Sequence, residues 1–188
     1  KKLGRPYYIE AVGSGFDSLW YHGKLLAKLY APLMHRRMKK SVLHAPYVCY
    51  VTQQYLQREY PSTGKSLSCS NVEIRDIGQT RRPPDSGSTI RIGLVGSLAT
   101  KYKGIDTAME ALLILKKKYP TIELHILGGG NADYWKEMSR DLKVSDNVFF
   151  HGSVASGNKV TEWLDKMDVY IQPSLTEGMP RALLEAMS

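Results

Sequence analysis

Two carboxylates near the end of the sequence frame its chemistry. Glu177 and Glu185 stand eight residues apart, with Gly178, Met179 and Pro180 following the first of them. The apolar run Val169, Tyr170, Ile171 ahead of them reads as a buried strand that stops at Pro173. Pro180 suits a first helical turn, where its missing N–H had no partner and its fixed φ already fits. A strand, a glycine loop and a helix start together offer free backbone N–H groups and a positive dipole end to an anion. A carboxylate aimed into such a cleft accepts hydrogen bonds from hydroxyl-rich ligands such as sugars and ribose. Plainer readings stand beside this one. Glu185 lies four residues after Arg181, a spacing that fits a surface contact of about 0.3–0.5 kcal/mol, and Glu177 could simply favour the helix dipole.

The preceding hundred residues supply the elements that would position these groups. Strands are predicted at 90–96, 122–127, 148–150 and 169–171, alternating with helices at about 105–115, 132–142 and 160–167. In the first helix Ile105, Ala108, Met109, Leu112 and Leu115 form a core-facing stripe. Lys116, Lys117 and Lys118 favour its C-terminus, and Pro120 ends it. Such alternation implies right-handed βαβ units and a parallel, Rossmann-like α/β sheet. Ligands on these sheets bind beyond the carboxyl ends of the strands. Gly96, Ser97 and Lys103, then Gly128, then Val154, then the 172–180 turn all fall at predicted strand exits.

The first part of the chain repeats the theme. Strands are predicted at 6–12, 45–52 and 65–72, with a short helix at 53–60 ended by Pro61. Residues 24–40 read as helical, with Leu25, Leu26, Leu29, Leu33 and Met34 at helical spacing among six Lys/Arg. Pro32 inside this stretch predicts a kink or two shorter helices. Two fates for the leucines are open. They pack on their own domain with the cations solvated, or the segment lies on an anionic membrane. Residues 73–89, rich in Gly, Pro, Ser and charge, read as a linker.

Composition bounds the rest. A length of 188 residues suits one or two domains. No apolar run approaches the roughly 20 residues needed to span a bilayer, and no secretory signal is evident. Cys49 and Cys69 are too few for a disulfide framework and lack metal-type spacing, which favours a cytoplasmic setting. Residues 1–72 hold eleven Lys/Arg against three Asp/Glu, whereas 73–188 hold fifteen of each. The whole excess of +8 therefore sits in the first part and points to an anionic surface as partner. Nucleic acid is not the expected one, because the cations match no known binding motif. The chain starts without Met and stops inside a predicted helix, so it reads as the middle of a longer protein.

Pro173-Ser174, Glu177-Gly178-Met179-Pro180 and Glu185-Ala186-Met187 together resemble the signature of family 4 (group 1) glycosyltransferases, retaining nucleotide-sugar enzymes of the GT-B fold. In that family, as here, seven residues separate the two glutamates. The resemblance implies that Glu177 faces the donor sugar and Glu185 holds the nucleotide ribose. It implies that Gly178, Met179 and Pro180 line the donor site. Lys103, directly before Gly104, matches the phosphate-binding lysine, which makes Glu177 and Lys103 the catalytic candidates. Gly96, Ser97, Gly128 and Val154 fall on further donor-binding positions. Many members carry an arginine after the first strand's glycine; here Ser97 stands there, with Lys101 near enough to compensate. Many also carry a His-Asp pair after a strand like 6–12; Asp17 matches the Asp, no His precedes it, and no catalytic His is assigned.

The same resemblance implies 1–72 as the end of an N-terminal, acceptor-side domain and 90–188 as a truncated nucleotide-sugar domain. The substrates implied are a nucleotide-sugar donor and a glycan or lipid-linked acceptor, with a possible anionic membrane surface at 24–40. Such an enzyme would be cytoplasmic, peripheral on the inner membrane. No Asp-x-Asp pair occurs, so no metal or other cofactor is expected, and fixed donors would stabilise the leaving diphosphate. Residues 17–20 and 70–72 resemble the subgroup that builds bacterial surface polysaccharides. As cut, the fragment is expected to be inactive. Rival readings are a GT-B nucleotide-sugar epimerase and a non-catalytic nucleotide-sugar-binding module. A nicotinamide dehydrogenase fits less well, since the Gly128 loop lacks the third glycine of Gly-x-Gly-x-x-Gly.

Overall fold

A computed structural model describes residues 5–70, 72 and 89–188. Asn71 and all of the predicted linker except residue 89 lie outside the described residues. The chain divides into two compact units. One holds the described residues up to Val72 with Thr176–Arg181, and the other holds residue 89 to Leu175 with Ala182–Ser188.

In the first unit β1 (Ile9–Ala11), β2 (Tyr47–Tyr50) and β3 (Lys65–Ser68) form a parallel sheet in that order, with Ile9 opposite Val48 and Cys49 opposite Leu67. Strand alternation sends Ala11, Val48 and Tyr50 to one face, where Val42, Leu56 and Tyr60 bury them. On the opposite face Tyr47 and Leu67 are 50% and 65% exposed. Helix α1 (Gly15–Trp20) was not predicted. Ser14 caps it, its Oγ accepting from the Asp17 N–H at 3.2 Å, and the Ser-x-x-Asp spacing was the available signal. Helix α2 (Leu25–Leu43) runs unbroken through Pro32, so of the two outcomes expected there the pair of shorter helices is not found. Pro32 is exposed, so water can reach the backbone group that its missing N–H leaves unbonded. Helix α3 (Tyr55–Glu59) precedes β3.

In the second unit β4 (Arg91–Val95), β5 (Glu123–Leu127), β6 (Val148–Phe150) and β7 (Val169–Tyr170) are parallel, in the order β6-β5-β4-β7. Helices α4 (Ile105–Leu115) and α5 (Asp133–Asp141) bury Met109, Leu112 and Trp135 against Leu94, Leu124 and Ile126. Helix α6 (Asn158–Leu164) brings Trp163 and Leu164 onto Leu127, with Val95 packed beside them. Successive strand residues feed different cores, so helices cover both faces. Leu115, expected in the buried stripe, is 36% exposed; it ends the helix one turn beyond Leu112. Helix α7 (Arg181–Met187) closes the chain.

Candidate active site

The strand exits of the second unit meet through backbone. Gly96 N–H donates to the Leu127 carbonyl and Leu98 N–H to that of Gly129, both at 2.9 Å. A Cβ on Gly128 would lie 1.8 Å from the Gly96 oxygen, so the β4 and β5 loops approach as only glycine allows. The buried Trp135 of α5 donates its indole N–H to the Leu98 carbonyl at 2.9 Å, pinning the same loop from below. Ser97 is exposed, and its Oγ accepts from the Ala99 N–H at 3.2 Å.

A single 3-10 turn, Lys101–Lys103, links this loop to Gly104 at φ +71° and the start of α4. The Lys103 stem lies over Gly96, where an added Cβ would come within 2.8 Å of its Cγ. Its ammonium stands 5.2 Å from the Tyr102 ring centre. Lys101, near enough in sequence to compensate for the absent arginine, donates to the Tyr134 hydroxyl at 2.9 Å and sits 4.4 Å from that ring centre.

The β7 exit lies against the β4 exit. A Cβ on Gly104 would fall 2.2 Å from the Pro173 oxygen, and Leu175 N–H donates to the Tyr102 carbonyl at 2.8 Å. The sheet order makes this the place where the chain, having built outward from β4 through β5 to β6, returns to β4's other side. Such a switch point opens a crevice at the strands' carboxyl ends. Gly128 N–H donates to the Gly152 carbonyl at 2.8 Å, which draws the β6 loop and the half-exposed Val154 toward the same end.

Gly96, Ser97, Lys103, Gly128 and Val154 thus share the strand-exit end of one unit. Glu185 is half-buried on α7 in that unit, and its neighbour Ala186 packs against the cluster of Leu127, Trp163, Leu164 and Met167. Glu177, Gly178, Met179 and Pro180 belong to the other unit. There an added Cβ on Gly178 would meet the Val12 oxygen at 2.0 Å, and Met179 packs on the core beside Ala11 and Val51. Gly178 therefore answers to a close backbone approach, which its motif alone did not reveal.

A histidine pair went unnoticed in the sequence. His125 Nδ1 lies 2.9 Å from His151 Nε2, and His125 Nε2 lies 2.9 Å from Glu123 Oε2. Burial first, then the charges of His125 and Lys166, hold His151 below its ordinary pKa. Among the described residues no group of three or more His, Cys, Asp or Glu is placed to hold a metal ion. Nor, among them, is any helix long and apolar enough to cross a membrane.

Residues 89–188, more than half of the chain, match the family model of Glycosyl transferases group 1. The chain belongs to that family. Over all 188 residues it is 37% identical to Protein CapJ of Staphylococcus aureus, covering 48% of that protein's length, so it spans about half of this relative. Two solved structures share the fold at 18% identity. One is Staphylococcus aureus TarM in complex with Fondaparinux, alpha-GlcNAc-glycerol and UDP, with a TM-score of 0.67 over 96% of this chain and 34% of that one. The other is WaaG, a glycosyltransferase involved in lipopolysaccharide biosynthesis, with a TM-score of 0.67 over 96% and 54%. The α/β fold with parallel sheets is therefore the GT-B type expected from the motif.

Proposed function

We propose that the protein to which this chain belongs transfers a sugar from a nucleotide-sugar donor to a glycan or lipid-linked acceptor, with retention, in the building of a bacterial surface polysaccharide. The observation that carries the reading is the switch point between β4 and β7, where Lys103 stands beside the loop that leads into the two-glutamate motif. The family match supports transfer, the UDP in TarM supports the donor class, and WaaG's part in lipopolysaccharide biosynthesis supports the setting.

Residues 90–188 bind the donor, and the first unit completes the acceptor-side domain. Gly96, Ser97, Gly128 and Val154 bring backbone and small side chains to the nucleotide. Glu185 accepts from the ribose hydroxyls, while Glu177, with Gly178, Met179 and Pro180, meets the sugar. The acceptor hydroxyl forms its bond to the anomeric carbon on the face from which the diphosphate departs, and its proton passes to the departing diphosphate oxygen. The electron pair of the broken bond leaves on the diphosphate, where Lys103 and backbone N–H groups offset its charge without a metal. The protein works on the cytoplasmic side of the membrane.

Turnover of the full-length protein with a panel of nucleotide sugars tests this. Glu177→Ala abolishes transfer, and Lys103→Ala lowers donor affinity and turnover together, the latter by about 100-fold. The product's anomeric configuration, read by NMR, reports retention, and chelator leaves the rate unchanged. Unaltered turnover in both variants would defeat the assignment. Donor epimerisation without acceptor would replace transfer with epimerase chemistry, and donor binding without turnover would leave a binding module.

A further inference from the structure

Residues 1–72 hold eleven Lys/Arg but only three acids, Glu10, Asp17 and Glu59, and two of these acids line one groove. Asp17 of α1 and Glu59 of α3 share it with His35 and Arg36 of α2, in a space of about 360 Å³. Phe16 and Pro32 add apolar surface there, and Ser14 and Tyr55 add hydroxyls. Each carboxylate is held through one oxygen. The Tyr55 hydroxyl donates to Asp17 Oδ2 at 3.0 Å. Glu59 Oε1 lies 3.4 Å from His35 Nε2 and 3.7 Å from the Lys39 ammonium. Among the described residues Asp17 Oδ1 and Glu59 Oε2 accept no hydrogen bond. A buried web backs these side chains. The hydroxyl of Tyr60, which is 0% exposed, lies 3.2 Å from His35 Nδ1 and 3.3 Å from Ser14 Oγ, and it accepts from the Gly15 N–H at 3.1 Å.

Ser14 and Asp17 follow β1 and Tyr55 follows β2, at the carboxyl ends where parallel sheets bind ligands. Val12, whose carbonyl oxygen an added Cβ on Gly178 would meet, stands two residues ahead of Ser14. The groove and the Glu177 loop are therefore anchored on the same strand exit.

We propose that, on the transfer reading above, this groove seats a neutral hexose residue of the acceptor, with Asp17 and Glu59 accepting from its hydroxyls and Arg36 donating to its oxygens. Charge selects the ligand. Arg36 and Lys39 offset the two carboxylates, so the groove carries no net charge within a segment of +8. A phosphate would approach two carboxylates, and a cation would approach Arg36. A hexose meets neither penalty, because its hydroxyls both donate to carboxylates and accept from a guanidinium. Its C–H groups find the Phe16 ring and Pro32, the mixed lining usual for small-molecule sites. Such an acceptor already bears a sugar, so an earlier glycosyl transfer must supply it.

Saturation-transfer NMR of the full-length protein with methyl glucoside, methyl galactoside and methyl N-acetylglucosaminide tests this without a donor. At least one glycoside is expected to receive saturation at millimolar concentration. Asp17→Asn and Glu59→Gln together weaken its binding by about tenfold or more, while far-ultraviolet circular dichroism stays that of the parent. Should that pair unfold the protein, Arg36→Gln at an exposed position reads the same direction of loss. Equal binding by parent and folded variants, or displacement of the glycoside by inorganic phosphate, overturns the proposal. No glycoside bound by a protein that still transfers sugar also overturns it and leaves the transfer reading standing. Glycoside bound by a protein that transfers nothing keeps the sugar site and removes that reading.

Discussion

Helices α4 and α2 read alike in the sequence, each with a stripe of leucine-sized residues at helical spacing, yet they end in opposite environments. Met109 and Leu112 of α4 are 0% and 1% exposed, on a sheet with helices over both faces. Leu26 and Leu29 of α2 stand 80% and 69% exposed, in a unit whose sheet has one packed face and one open face carrying Tyr47 and Leu67. Periodicity reports that a helix has an apolar side. What covers that side is a separate question, and charge helps to answer it. Asp106 and Glu110 of α4 oppose the lysines at its end, whereas α2 has cations alone.

The comparison breaks first at Leu112. If α4 holds the core of its unit, Leu112→Ala lowers stability by about 3 kcal/mol in urea unfolding, through lost burial and a residual cavity. A loss below about 1 kcal/mol would place the α4 stripe in the same class as the α2 stripe. A smaller effect asks whether this packing reaches the loops. Trp135→Phe keeps a ring in the core but leaves the Leu98 carbonyl without its donor, a change of about 1–2 kcal/mol. On the proposed donor reading, weaker nucleotide-sugar binding in calorimetry should accompany it, because Leu98 belongs to the loop shared with Gly96 and Ser97. Unchanged binding would show that the loop holds its shape through Gly96, Leu98 and Gly128 backbone alone.

Much of this was legible beforehand, for identifiable reasons. All the predicted strands appear within a few residues, because apolar runs bounded by Gly or Pro leave little choice. Gly128 and Gly104 were visible as loop glycines, but the partners that demand them, the Gly96 and Pro173 carbonyls, are 32 and 69 residues away in sequence and belong to tertiary structure. Trp135 and Tyr134 fall within the predicted helix 132–142, and no pattern says which loop an indole N–H will meet. Pro32 left two outcomes open because a proline's effect on a helix depends on whether water can reach the group it leaves unbonded, and here the helix continues. The His125–His151 contact joins neighbouring strands, and register alone creates it.

That pair separates the units by pH. His125 Nδ1 lies against His151 Nε2, and Glu123 stands beside His125 Nε2. Burial first, then the charges of His125 and Lys166, oppose a proton on His151. His151 therefore has a folded pKa below its ordinary value of 6.5. As pH falls through that value the unfolded chain takes up the proton first, so the second unit loses stability. Above it both states are neutral there and nothing is lost. His151→Gln should flatten the slope between neutral pH and about pH 5, measured as urea midpoints. An unchanged slope would assign the pH dependence to other groups.

The smallest effect is the most discriminating. Leu29→Ala on the exposed stripe of α2 should move stability by no more than about 0.5 kcal/mol, since the side chain is already in water and Ala is the better helix former. The same leucine-to-alanine change at Leu112 costs several times more, so chemistry is held constant and only burial differs. Measured in the full-length protein, a cost of 2 kcal/mol or more at Leu29, on the order of a core truncation, would mean that other residues of that protein pack over α2. A near-zero cost would mean that these leucines stand in water in the full-length protein as well.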